Sequence, residues 1–179
     1  KYVTSIGSNN LLMAYCHVGH DSIVGSHVVM GNLATLAGHV EIHDNAIIGG
    51  LSAIHQFTRV GAFAILGGGS MVSLDIVPYA RASGDRARLY GMNTIGLKRN
   101  GFTKEQMSRI NKAYRILFKQ GLLLKDALQV LEQEFQGVEE ISRLRAFSYL
   151  RAGVSPGEKT QRCSNRGGIP RAIPRPEIC

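Results

Sequence analysis

From Ile6 to Val72 every sixth residue is aliphatic or Met: Ile6, Leu12, Val18, Val24, Met30, Leu36, Ile42, Ile48, Ile54, Val60, Leu66 and Val72. Gly follows in seven of these hexads (Gly7, Gly19, Gly25, Gly31, Gly49, Gly61 and Gly67). The fifth position is mostly small, as at Cys16, Ser22, Ala34, Ala46, Ser52, Thr58, Ala64 and Ser70. Neither the 3.6-residue period of a helix nor the two-residue alternation of an ordinary strand makes this pattern. It restricts the chain to a solenoid of short strands and turns, a parallel β-helix. The aliphatic residue points into a narrow interior. The Gly after it lets the backbone bend at the corner without a Cβ clash, and the small fifth residue fits where the walls converge. Stacked coils lie about 4.8 Å apart, the strand spacing. Such a solenoid has open ends and flat faces that need caps or partner subunits.

Hexapeptide-repeat proteins imply three hexads to a triangular coil of 18 residues, so residues 1–78 form a β-helix of four coils. After Pro78 the hexads stop. Residues 79–102 read as irregular connecting chain, punctuated by Gly84, Gly91, Gly96 and Gly101. Residues 103–152 read as a small α-helical domain. Thr103 and Gln106 make a capping box, and Met107, Ile110, Tyr114, Leu117 and Phe118 follow a helical period as far as Gly121. A second helix is predicted near Leu123–Phe135 and a third over about Val138–Ala152. Residues 153–179 hold four of the five prolines and no periodic apolar face, which predicts a disordered tail.

Composition removes several classes of function. No run of 18 apolar residues occurs, so no transmembrane helix or stable membrane insertion is expected. Three scattered cysteines (Cys16, Cys163, Cys179) make neither a disulfide framework nor a zinc module, and suit a reducing compartment. The net charge of +8 is uneven. Residues 1–78 hold two basic and four acidic side chains, and the remainder carries the whole excess of positive charge. A basic second half suits an acidic partner. It shows no aromatic stacking platform or nucleic-acid motif, which argues against nucleic acid.

The hexad phase also places the histidines. His20, His39 and His55 are 19 and 16 residues apart, close to one coil, so all three are expected near one vertical edge on successive coils. Three histidines in a column suggest a metal site or acid–base chemistry. Zinc needs ligands converging at about 2.0–2.1 Å from one point, and a column running along the solenoid does not suggest convergence. A neutral imidazole, by contrast, can take a proton from a hydroxyl as it attacks an activated acyl group. Asp21 follows His20, but adjacent residues in a strand point opposite ways, which leaves the backbone or another side chain to orient the imidazole.

The stretches SNNLLMAYCHVGHDSIVG, ATLAGHVEIHDNAIIGG, AIHQFTRVGAFAILGGGS and GMNTIGLKRNGF resemble the acyl-carrier-protein-dependent UDP-N-acetylglucosamine O-acyltransferases of lipid A biosynthesis, from Lys1 to about Ala152. The last motif lies outside the repeat and is the most specific. The resemblance implies a left-handed β-helix, a cytoplasmic homotrimer and active sites between subunits. It implies transfer of an R-3-hydroxyacyl group from acyl carrier protein to the glucosamine 3-hydroxyl of UDP-N-acetylglucosamine, with no cofactor and no metal. It assigns the general base to His20, accompanied by Asp21, and a site-wall role to His17. It places His39, His55 and Gln56 along the substrate cleft, Asn93 and Arg99 near the nucleotide, and Gly68 at the end of the acyl groove. A backbone N–H near Gly38 or Gly49–Gly50 is the expected oxyanion donor. Arg81, Arg86, Arg88 and Lys98 are candidates for docking the acidic carrier.

Three features depart from the family pattern. Asn100 stands where the family has a second arginine, Ile95 stands where some members carry an acidic residue, and the family has further coils before Lys1. Two alternatives stay open: the N-acyltransferase later in the same pathway, and a non-catalytic trimeric binding module. A carbonic anhydrase-like metal protein is a third.

Overall fold

The computed structural model describes residues 3–152. Twelve two-residue strands recur every six residues: β1 (Ser5–Ile6), β2 (Leu11–Leu12), β3 (His17–Val18), β4 (Ile23–Val24), β5 (Val29–Met30), β6 (Thr35–Leu36), β7 (Glu41–Ile42), β8 (Ile47–Ile48), β9 (Ala53–Ile54), β10 (Arg59–Val60), β11 (Ile65–Leu66) and β12 (Met71–Val72). β1 to β9 each pair in parallel with the strand 18 residues on, as Ser5 with Ile23 or His17 with Thr35. Three walls result, in the orders β1-β4-β7-β10, β2-β5-β8-β11 and β3-β6-β9-β12. The first residue of each strand faces outward and the hexad residue faces in. From Val24 to Val72 the nine hexad residues are at most 2% exposed. In the first coil Ile6 and Leu12 stand 47% and 41% exposed. At the other end Ile76, Val77 and Tyr79, each 0% exposed, close the interior. There the Arg59 guanidinium grips Asp75 through two nitrogens, at 3.1 and 2.9 Å.

The glycines work differently from the sequence expectation. The third residue of each turn lies in the left-handed region, at Asn9, Tyr15, Asp21, His27, Leu33, His39, Asn45, Leu51, Phe57, Phe63 and Gly69. Only the last is Gly. The glycines after the hexad residues have ordinary φ and are needed for close approach between coils. A Cβ on Gly7 would lie 2.6 Å from the Gly25 carbonyl oxygen, and one on Gly19 would lie 2.5 Å from the Ala37 carbonyl carbon. The left-handed corner is held from the preceding coil. The His39 N–H donates to the His20 carbonyl at 2.9 Å, and the pattern repeats at Asn45 and Leu51.

Residues 79–102 are not irregular. β13 (Ala80–Ser83) pairs with β11 and with the antiparallel β14 (Arg88–Met92), adding a hairpin to the second wall. Its short alternation was hidden by glycines that serve the hairpin: Gly84 has φ 100° and Gly91 has φ 134°. α1 (Thr94–Arg99) follows.

The chain divides into two units, with the boundary inside α1 between Gly96 and Leu97. The second unit holds α2 (Lys104–Lys119), α3 (Leu124–Glu134) and α4 (Glu139–Ala152). The Thr103–Gln106 capping box is formed in both directions. Ile110, Ala113, Leu128, Leu131, Ile141 and Leu144 are 0% exposed and supply the core of this unit. Arg109–Glu140 and Arg145–Glu132 ion pairs tie α4 to α2 and α3 at 2.7 Å each. No helix among the described residues is long and apolar enough to cross a membrane. The expected disordered tail, 153–179, lies outside the described residues.

Candidate active site

The turns that leave the third wall, residues 19–22, 37–40 and 55–58, stack on one edge and carry His20, His39 and His55 as the spacing predicted. The three histidines occupy different turn positions: His55 the first, His20 the second and His39 the third. That difference decides which of them meet.

His20 and Asp21 do meet, against the expectation drawn from strand geometry. Asp21 sits in the left-handed corner at φ 59°, so the alternation of a strand no longer applies. The His20 Nδ1–H donates to Asp21 Oδ2 at 2.7 Å. The Asp21 N–H donates to Thr4 Oγ1 at 2.8 Å, which pins the corner from the coil below. The His20 side chain is 75% exposed and that of Asp21 16%. With Nδ1 donating to a carboxylate, the lone pair of the neutral ring falls to Nε2. Beneath the ring lies Gly38. A Cβ there would come within 2.6 Å of His20 Nε2 and Cε1, so only the missing side chain gives the imidazole its place. Among the described residues the Gly38 N–H donates to no protein acceptor.

His39 closes the group. Its Nε2 lies 3.6 Å from Asp21 Oδ2, an ion-pair distance, and its ring meets His20 edge-on at 5.2 Å. The other face of His39 stacks on Phe57 at 4.7 Å and 17°. Donor atoms of His20, Asp21 and His39 all lie within 4.8 Å of one another, a spacing from which a metal ion could be held. Two of those atoms are already joined by the 2.7 Å hydrogen bond, an arrangement suited to proton transfer.

His55 stands apart from this group, its Nδ1–H on the Gln56 carbonyl at 3.1 Å. His17 lies on the outer face of β3, exposed, one turn before His20. Gly68 is exposed in a turn of the neighbouring edge, where a Cβ would approach the Gly50 carbonyl oxygen at 3.2 Å. Asn93 is 6% exposed and engaged at both ends of its carboxamide: Nδ2 donates to the Phe63 carbonyl at 2.9 Å, and Oδ1 accepts from the Gly96 N–H at 3.1 Å. It caps α1. Lys98 and Arg99 are exposed in the last turn of that helix. Arg81, Arg86 and Arg88 are exposed on the β13–β14 hairpin, and Arg86 and Arg88 line a depression of about 300 Å³ with Ser73, Leu74 and Ala87. Sequence reasoning missed Thr4 and Phe57. The signal for Phe57 is its 18-residue spacing from His39, which is itself 18 from Asp21; Thr4, 17 residues before Asp21, has no such signal.

On the first wall Glu41 of β7 faces His43, the first residue of the turn that follows, with Nε2 to Oε2 at 3.7 Å. The His43 imidazole holds the Glu41 carboxyl below its ordinary value of 4.5; burial opposes this, and Arg59 adds a smaller lowering.

Comparison with known proteins bears on the fold and the family. The family model described as UDP-N-acetylglucosamine O-acyltransferase, domain 2, matches residues 75–153, and the bacterial transferase hexapeptide model matches residues 4–38. The acyl-[acyl-carrier-protein]–UDP-N-acetylglucosamine O-acyltransferase of Myxococcus xanthus is 52% identical over 144 residues, which is 80% of this chain and 56% of that protein. The enzyme of the same name from Halorhodospira halophila is 44% identical over the same shares. The crystal structure of UDP-N-acetylglucosamine O-acyltransferase from Moraxella catarrhalis superposes with a TM-score of 0.80 at 36% identity, covering 83% of this chain and 58% of that one. The UDP-N-acetylglucosamine acyltransferase of Campylobacter jejuni gives 0.74 at 41%, covering 79% and 55%. The chain spans about half the length of the curated relatives it matches. Repeat, hairpin and helical unit together place it: the chain belongs to the UDP-N-acetylglucosamine O-acyltransferase family of hexapeptide-repeat proteins.

Proposed function

We propose that the chain transfers an R-3-hydroxyacyl group from acyl carrier protein to the 3-hydroxyl of UDP-N-acetylglucosamine, the first step of lipid A biosynthesis, with His20 as general base. The observation that carries this reading is the 2.7 Å bond from His20 Nδ1 to Asp21, which leaves the lone pair of the neutral ring on Nε2, beside Gly38. The names of the relatives supply the substrates. Nε2 takes the proton of the sugar hydroxyl as its oxygen attacks the thioester carbonyl carbon. Asp21 stabilises the imidazolium that forms. The C–S bond then breaks, and the leaving sulfur takes the proton back from Nε2. The oxyanion formed between the two steps is stabilised by the Gly38 N–H, which lies beside the base.

No enzyme-bound acyl intermediate, cofactor or metal enters this sequence. Cys16 donates to the Met30 and Gly31 carbonyls and takes no part. His17, His39, His55 and Gln56 line the sugar site, and Gly68 ends the acyl groove. Arg99 meets the nucleotide phosphates, while Asn93 acts by holding α1 in place. Arg81, Arg86, Arg88 and Lys98 attract the acidic carrier. Leu11, Ile23, Leu33, Leu51 and Met71 are 45–63% exposed on the outer walls and corners, surface that a trimer in the cytoplasm would cover.

Acceptor competition tests the reading. UDP-N-acetylglucosamine is expected to be acylated in preference to a 3-O-acyl-glucosamine derivative carrying a free amine. The reverse preference would assign the chain to the N-acyltransfer reaction.

A further inference from the structure

We propose that Phe57 is a positioning residue of the His20–Asp21 pair and acts through the imidazole of His39; this rests on the reading of His20 as the base. Asp21, His39 and Phe57 occupy the same corner of three successive coils, at φ 59°, 57° and 61°. Their backbones are locked in register. The His39 N–H donates to the His20 carbonyl at 2.9 Å, and the Phe57 N–H to the Gly38 carbonyl at 3.3 Å. The three side chains therefore leave the solenoid in one column.

Along that column the contacts are continuous. The Phe57 ring stacks on His39 at 4.7 Å and 17°, which fixes the plane of the imidazole. That plane directs His39 Nε2 at Asp21 Oδ2, 3.6 Å away, while the same oxygen accepts from His20 Nδ1 at 2.7 Å. The His39 side chain is 31% exposed, and the stacked ring is one of the contacts that hold its outer torsion. Phe57 itself is 51% exposed, so burial in a core does not account for a phenylalanine there. A left-handed φ also disfavours a bulky side chain at this position. The ring stacks on the histidine beside the reacting pair.

The test combines spectroscopy with rates on the parent chain, Phe57→Leu and Phe57→Tyr, each with nitrogen-15-labelled histidine. In the parent, Phe57 shields the His39 ring protons by its ring current, and long-range proton–nitrogen spectra report the His20 tautomer protonated at Nδ1. In Phe57→Leu the His39 ring resonances are expected to move downfield and the His20 tautomer to become mixed. The kcat is expected to fall about tenfold, with KM for UDP-N-acetylglucosamine within about twofold of the parent. Phe57→Tyr keeps the stacked face and is expected to restore both spectrum and rate. Unchanged His20 and His39 spectra in Phe57→Leu would overturn the proposal, as would an equal loss of rate in both variants. A parent chain without transfer activity would refute the reading of the site instead. The spectra would still decide whether Phe57 orders His39 and His20.

Discussion

Replacing Gly38 by Ala tests the placement of the base most sharply, because its effects on fold and chemistry separate. The new Cβ would sit 2.6 Å from His20 Nε2 and Cε1 and 3.1 Å from Cδ2. Favourable contacts between such atoms lie near 3.5–4.0 Å, so the ring must retreat by roughly 1 Å. The His20 side chain is 75% exposed, and the retreat therefore costs little folding energy. Gly38 is absent from the left-handed positions, so Ala fits its backbone, and the loss of chain freedom in the unfolded state favours Ala by about 0.4–1 kcal/mol. The displaced Nε2 no longer reaches the acceptor hydroxyl on line, and a 1 Å misplacement costs about 10²-fold in rate. At about 1.36 kcal/mol per decade this is about 2.7 kcal/mol of transition-state stabilisation. The assay is initial-rate acyl transfer from 3-hydroxyacyl carrier protein, beside a thermal melt. The expected result is a rate lower by about two orders of magnitude with an unchanged or slightly raised melting temperature. Full activity in Gly38→Ala would show that the base does not work from the position above this residue.

Two further outcomes follow from other parts of the solenoid. Asp75→Ala leaves the Arg59 guanidinium, 13% exposed, without its bidentate partner at the closed end of the coils, and is expected to cost about 3 kcal/mol in urea unfolding. Glu41 has a folded-state pKa below 4.5, so it binds its proton more readily in the unfolded chain. Its contribution to stability is present above pH 4.5 and is lost as pH falls through the folded value. Glu41→Gln should remove that part of the acid sensitivity, seen as a smaller drop in urea midpoint between pH 6 and pH 3.5, and an unchanged drop would deny the shift.

The repeat made the solenoid legible because each hexad residue obeys one simple rule, burial in a narrow interior. The helices of the second unit were legible from the Thr103–Gln106 box and from the apolar period opened by Met107 and Ile110, although the buried face of α2 continues through Ala113 and Ile116 rather than through Tyr114, Leu117 and Phe118. The site was legible only in part. Spacing put His20, His39 and His55 on one edge, yet it could not say which would touch. That depends on the left-handed corner, which is occupied here by Asp, His and Phe rather than by the glycine that would advertise it. The same corner turned Asp21 back onto its neighbour, where strand alternation had sent it away. Asn93 reads as a polar residue available to a ligand, and its cap on α1 depends on the Phe63 carbonyl thirty residues earlier. The hairpin of β13 and β14 went unread because two glycines that serve its turn and bulge looked like breaks.

The most direct test of the central claim is acyl transfer by this chain beside its His20→Ala variant, with 3-hydroxyacyl carrier protein as donor, UDP-N-acetylglucosamine as acceptor, and light scattering to follow assembly. The account predicts transfer by the parent, its loss by about 10³-fold or more in the variant, and the same assembly state for both. A folded variant that still transfers at the parent's rate would contradict it.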